Sequence, residues 1–105
     1  YKALKEDGLF VQQTESPFFH RELLGRLTKD IQDAEFPITT SYLAYIPIYP
    51  GGCHSFTIGS KKYDPSVATR SVPADWQLSY YNEALHSGAF ALPNFVKEVL
   101  AGKLK

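Results

Sequence analysis

The sequence predicts an α/β fold in which a helix carries the chain between two strands that run the same way and a hairpin then returns antiparallel. Three observations predict it. An apolar run, Leu9-Phe10-Val11, precedes a stretch of helical spacing from Leu23 to Ala34, and two β-rich stretches, 38–48 and 53–60, flank the turn Pro50-Gly51-Gly52. Strand, helix, strand implies a right-handed crossover between parallel strands, and a tight turn implies an antiparallel return.

Each element has its own signature. Tyr1 to Gly8 reads as the end of a helix, good helix formers followed by a glycine suited to the position after the last turn. On that reading the domain has residues before Tyr1, and positions 1–105 are the C-terminal portion of a single domain. Leu9-Phe10-Val11 suits a strand buried on both faces of a parallel sheet. Ser16-Pro17 makes a helix start, an oxygen to cap and a proline at the first helical position. Leu23, Leu24, Leu27, Ile31 and Ala34 form one apolar stripe, and Phe36-Pro37 closes the helix.

Residues 38–48 are rich in β-branched and aromatic types, with an irregular end at Pro47. From Cys53 to Ser60 the pattern alternates, His54, Phe56 and Ile58 on one face and Cys53, Ser55, Thr57 and Gly59 on the other. Lys61 to Asp75 lacks apolar periodicity and reads as a surface connection. Trp76 to Leu85 suggests a short helix, and Pro93 to Leu100 another with Phe95, Val96, Val99 and Leu100 inward.

Composition narrows the function classes. The 11 Lys and Arg balance 11 Asp and Glu, so there is no basic field of the kind nucleic-acid binding requires. At 44% hydrophobic and 14% aromatic the chain is too apolar for disorder. No apolar run reaches the roughly 20 residues that span a bilayer. One cysteine, Cys53, permits no internal disulfide, and a reducing cytoplasm is the expected setting.

Ligands of open α/β sheets bind beyond the carboxyl ends of the strands. The first strand delivers Gln12, Gln13, Thr14 and Glu15 there, and the second delivers Tyr45, Pro47, Tyr49 and Pro50. Gln13 can donate and accept, so it could hold an amine or a ribose; it could equally satisfy loop backbone. Tyr49, between Ile48 and Pro50, could be a pre-organised aromatic wall or simply pack on the sheet edge. Cys53 and His54 are strand neighbours whose side chains point to opposite faces, which excludes a nucleophile and base pair. His20, His54 and His86 have no metal-ligand spacing, so each reads as structural and no metal is expected. Glu15 and Asp7 do not form a carboxylate pair, and the segment holds no complete catalytic set.

The runs DGLFVQQTES at 7–16, FP at 36–37, IPIYPGG at 46–52, FTIGSKKYDP at 56–65 and YYNEALHSGAFALPNFV at 80–96 closely resemble the C-terminal portion of bacterial spermidine synthases. The resemblance covers nearly the whole chain. It implies a methyltransferase-like, Rossmann-type α/β domain. It also implies a reaction, transfer of the aminopropyl group of decarboxylated S-adenosylmethionine to putrescine, giving spermidine and methylthioadenosine. The nucleoside is then a co-substrate, and no cofactor is implied.

In the resembling proteins the acidic loop that takes the amine proton follows the fourth strand and the glycine-rich nucleoside loop follows the first, so the catalytic acid is expected upstream of Tyr1. Two positions carry over as substrate-binding: Gln13, matching a glutamine that lines the diamine site, and Tyr49, matching a tyrosine at the amine end of the substrates. Glu15 is similar to an acidic position of the family, without an assigned role. Tyr81, His86 and Phe90 match residues that pack the C-terminal helices. The family commonly forms homodimers or homotetramers. Spermine synthase and putrescine N-methyltransferase share this fold and much of this tail, and a non-catalytic assembly module is a further alternative.

Overall fold

The computed structural model describes residues 1–48 and 51–102. Its elements are β1 (Leu9–Gln13), α1 (Arg21–Asp33), β2 (Ile38–Tyr45), β3 (Cys53–Ser60), α2 (Glu83–Ala89) and α3 (Asn94–Leu100). The strands form one sheet in the order β1-β3-β2, and β3 is antiparallel to both neighbours. β1 and β2 therefore run the same way, as the crossover requires, but the returning strand lies between them. Both ladders among the described residues are antiparallel, and within them β1 pairs with β3.

Within residues 1–105 β1 is the outer strand, and Leu9, Phe10 and Val11 are 41–49% exposed there. The β2–β3 hairpin is as expected. Its register runs from Ile38 opposite Ser60 to Tyr45 opposite Cys53, and Ile46 N–H donates to the Gly52 carbonyl at 2.9 Å to close the loop.

The two faces of the sheet are covered differently. α1 and α3 lie on the face that carries Leu43, where Leu24, Val96 and Val99 form a dry cluster joined by Leu43, Leu92, Phe95 and Leu100. The sequence stripe places Leu24 and Ile31 in the core, and the third buried residue of α1 is Thr28. On the other face Tyr42 stacks on Phe56, with ring centroids 5.2 Å apart, and meets Phe90 at the end of α2.

Three local expectations change. Tyr1 to Gly8 is a pair of tight turns, with Leu4 N–H on the Tyr1 carbonyl and Gly8 N–H on the Lys5 carbonyl, and not a helix end. Lys61 reaches across to donate to the Leu4 carbonyl and lies over the Tyr1 ring, which holds these turns against the sheet. Ser16 does cap, but its Oγ accepts from Phe18 and Phe19 N–H and so closes an isolated turn. The backbone of His20 (φ −134°, ψ 49°) breaks the helical path, and α1 starts only at Arg21. Trp76 to Tyr81 is not helical; Tyr80 instead turns its hydroxyl to accept from Tyr45 N–H, drawing the segment over β2.

The remaining assignments stand. Residues 61–75 form a connection over the surface, and α3 buries Val96 and Val99. Among the described residues no helix is long and apolar enough to cross a membrane.

Candidate functional site

β1 ends at Gln13, whose neighbour across the ladder is Phe56. The next residue, Thr14, extends the pairing: its N–H donates to the Ser55 carbonyl, and Ser55 N–H donates to the Glu15 carbonyl, both at 2.9 Å. Ser55 Oγ adds a second bond to the same carbonyl at 2.7 Å. Glu15 needs that support, because its φ of 71° lies in the left-handed region that disfavours residues with a Cβ. Two donors on one carbonyl hold the turn by which the chain leaves the sheet.

Behind this turn lies a set of buried hydroxyls. Thr14 Oγ1 is 2.7 Å from Ser55 Oγ and 3.1 Å from Thr57 Oγ1, and Thr57 Oγ1 also meets Ser41 at 2.8 Å and Thr28 at 3.2 Å. These residues tie β1, β2, β3 and α1 together under the strand ends. Serine and threonine satisfy one another here, so burial leaves these oxygens paired.

Gln13 lies on the opposite face from those hydroxyls. Its side chain is half-buried, and Nε2 is 2.8 Å from Nδ1 of His54, which is itself 6% exposed. A primary amide nitrogen only donates, so Nδ1 is the acceptor and the imidazole proton sits on Nε2. The amide is thereby left with its carbonyl oxygen to offer a ligand. The spacing of His54 suits no metal site, and that Gln13 lies within its reach depends on the β1–β3 register, for which the sequence has no marker.

The loops around the strand ends meet. Gly51, with φ 82°, packs so near Phe19 that a Cβ there would fall 3.0 Å from the ring. The hairpin loop after β2 and the turn after β1 therefore share one rim, as the crossover argument anticipated. Tyr49 lies outside the described residues. Glu15 is in the rim through its backbone. Cys53 points away from His54 on the other face of β3, and burial pushes its thiol above the usual range, so the pair is no nucleophile and base.

A second, apolar cleft of about 250 Å³ lies on the α2 side, lined by Tyr42, Ile58, Pro65, Tyr80, Leu85 and Phe90. Neither Gln13 nor His54 lines it. His86 braces its wall, accepting from the Tyr81 hydroxyl at Nδ1 (2.8 Å) and donating from Nε2 to the Pro65 carbonyl (2.7 Å). Tyr81, His86 and Phe90 are thus packing residues, as expected.

A family model for the spermine/spermidine synthase domain matches residues 1–71. The chain belongs to the spermine/spermidine synthase family. Its curated relatives include the polyamine aminopropyltransferase of Shouchella clausii, 50% identical over 99 residues that cover 94% of this chain and 36% of the relative. The polyamine aminopropyltransferase of Bacillus subtilis is 48% identical with the same coverage. The chain thus spans about a third of the length of the curated relatives it matches.

The solved structure of spermidine synthase from Thermotoga maritima superposes with a TM-score of 0.81 at 40% identity, over 96% of this chain and 36% of that one. A spermidine synthase in complex with the transition-state analogue AdoDATO matches with the same score and identity, over 96% of this chain and 35% of that one. The expected fold class holds: the sheet and flanking helices match part of a spermidine synthase-like α/β fold.

Proposed function

We propose that these residues work as the C-terminal part of a polyamine aminopropyltransferase that makes spermidine from putrescine and decarboxylated S-adenosylmethionine. The observation that carries the reading is the 50% identity to a polyamine aminopropyltransferase across 94% of the chain. The site geometry agrees with it, because Gln13 is held at the rim with an oxygen to offer an ammonium donor.

In this reaction a neutral amine nitrogen attacks the carbon beside the sulfonium. The new C–N bond forms as the C–S bond breaks, the sulfur leaves as the neutral thioether methylthioadenosine, and the amine proton passes to a carboxylate. On this reading the carboxylate and the nucleoside loop come from residues outside Tyr1–Lys105. Gln13 and Tyr49 hold the diamine, Tyr49 through an aromatic face that attracts ammonium. Glu15 has no assigned step. The same reading includes a homodimeric or homotetrameric assembly in the cytoplasm.

The test is turnover by the complete protein that carries this sequence. Incubated with putrescine and decarboxylated S-adenosylmethionine, it should release spermidine and methylthioadenosine in equal amounts, while the 105-residue chain alone should release neither. A complete protein that transfers a methyl group, or that uses spermidine in preference to putrescine, would overturn the reading in favour of a putrescine N-methyltransferase or a spermine synthase. Tyr49→Ala in that protein should weaken putrescine use and leave nucleoside binding near its original value.

A further inference from the structure

We infer that His54 is a positioning residue that sets the direction of the Gln13 amide and so makes the rim selective for an acceptor that carries an ammonium group. The inference rests on the reading of Gln13 as a diamine-binding residue and adds to it a part that no resemblance assigns.

The argument runs from donor and acceptor inventory. An amide side chain has two ends of opposite character, a carbonyl oxygen that accepts and an NH2 that donates, and without a partner either could face a ligand. Ammonium groups are donors only, so an outward NH2 would oppose a diamine and an outward oxygen would bind it. His54 supplies the partner: Gln13 Nε2 lies 2.8 Å from His54 Nδ1, and with the ring proton on Nε2 this directs the NH2 to the imidazole and leaves Oε1 as the acceptor.

The imidazole is a fixed reference. His54 is 6% exposed and precedes Ser55, whose N–H and Oγ both bond the Glu15 carbonyl and whose carbonyl accepts from Thr14 N–H. Gln13 and His54 thus sit on adjacent strands that are joined through Ser55, next to the pair.

The experiment compares His54→Leu, which removes the acceptor, with His54→Asn, whose Oδ1 can accept much as Nδ1 does, in the complete protein. His54→Leu should raise KM for putrescine about tenfold, the scale of one lost polar contact to a charged ligand. KM for decarboxylated S-adenosylmethionine should stay within about twofold, and His54→Asn should recover most of the putrescine KM. In a Gln13→Leu background, His54→Leu should add nothing further.

A putrescine KM unchanged in His54→Leu overturns the inference, as does a rise in both KM values together with no recovery in His54→Asn. If Gln13→Leu itself leaves the putrescine KM unchanged, the diamine reading of Gln13 has failed; if Gln13→Leu raises it and His54→Leu does not, only the role of His54 has. Should His54→Leu not fold, nitrogen NMR of the wild-type imidazole decides: an unprotonated Nδ1 supports the inference, and a neutral ring protonated at Nδ1 overturns it.

Discussion

The ring of Phe36 occupies the space that a side chain at residue 59 would fill: a Cβ built on Gly59 would lie 2.5 Å from Phe36 Cδ2. Phe36 is 9% exposed and lies between Tyr1 and Phe10, with ring centroids 5.2 and 6.4 Å away. A glycine one residue from the end of β3 thus admits an aromatic ring beside the start of β2.

Gly59→Ala should therefore destabilise the protein by about 1–3 kcal/mol through overpacking. In Phe36→Leu the smaller side chain should accept the new methyl, so the double variant should lose less than the sum of the two single losses. Denaturant unfolding of the four proteins checks the cycle.

Glu35 closes α1 in a left-handed conformation, φ 76°, which a glycine adopts without steric cost. Glu35→Gly should stabilise the protein by up to about 1 kcal/mol, read as a higher thermal midpoint. A lower midpoint would show that the side chain earns more than its backbone loses.

Thr57 Oγ1 meets the hydroxyls of Thr14, Thr28 and Ser41 under the strand ends. Thr57→Val keeps the shape and removes the shared oxygen, so it should cost about 1–3 kcal/mol through buried hydroxyls left without it. Ser41→Ala removes one spoke only and should cost less. Amide exchange at Ser55 and Thr57 should quicken in Thr57→Val if the network holds the strand ends.

Asp64 accepts from the Ser66 hydroxyl at 2.7 Å and the Ser66 N–H at 3.0 Å, and these bonds to the carboxylate hold its pKa below the usual range. A folded pKa below the unfolded one stabilises the fold at pH values above the unfolded pKa, and that contribution is lost as pH falls through the folded pKa. Ser66→Ala removes the larger cause, so the Asp64 carboxyl should titrate at higher pH in the variant. Carboxyl carbon NMR across the acid range measures the shift directly.

Much of the architecture was legible in local pattern. The period of α1, the alternation of Cys53 to Ser60 and the inward face of α3 each follow from the spacing of apolar residues, because helix and strand geometry impose those periods on any chain. The hairpin was legible from Pro50-Gly51-Gly52, since left-handed residues at a tight turn favour glycine. The strand order was not. Leu9-Phe10-Val11 carries no mark of its neighbour, and only the folded sheet puts the returning strand β3 between β1 and β2.

By itself the sequence determined most of the elements and the shared rim at the ends of β1 and β2, and it offered Gln13 as one candidate there. Tertiary structure alone decided what Gln13 can offer. The orientation of an amide depends on which partner lies within hydrogen-bond reach, and the partner here, His54, is 41 residues away in the chain and arrives by strand pairing. The same holds for the hydroxyls beneath the rim. Thr14, Thr28, Ser41, Ser55 and Thr57 look like surface residues one at a time, and they become interior because each brings another its hydrogen bond.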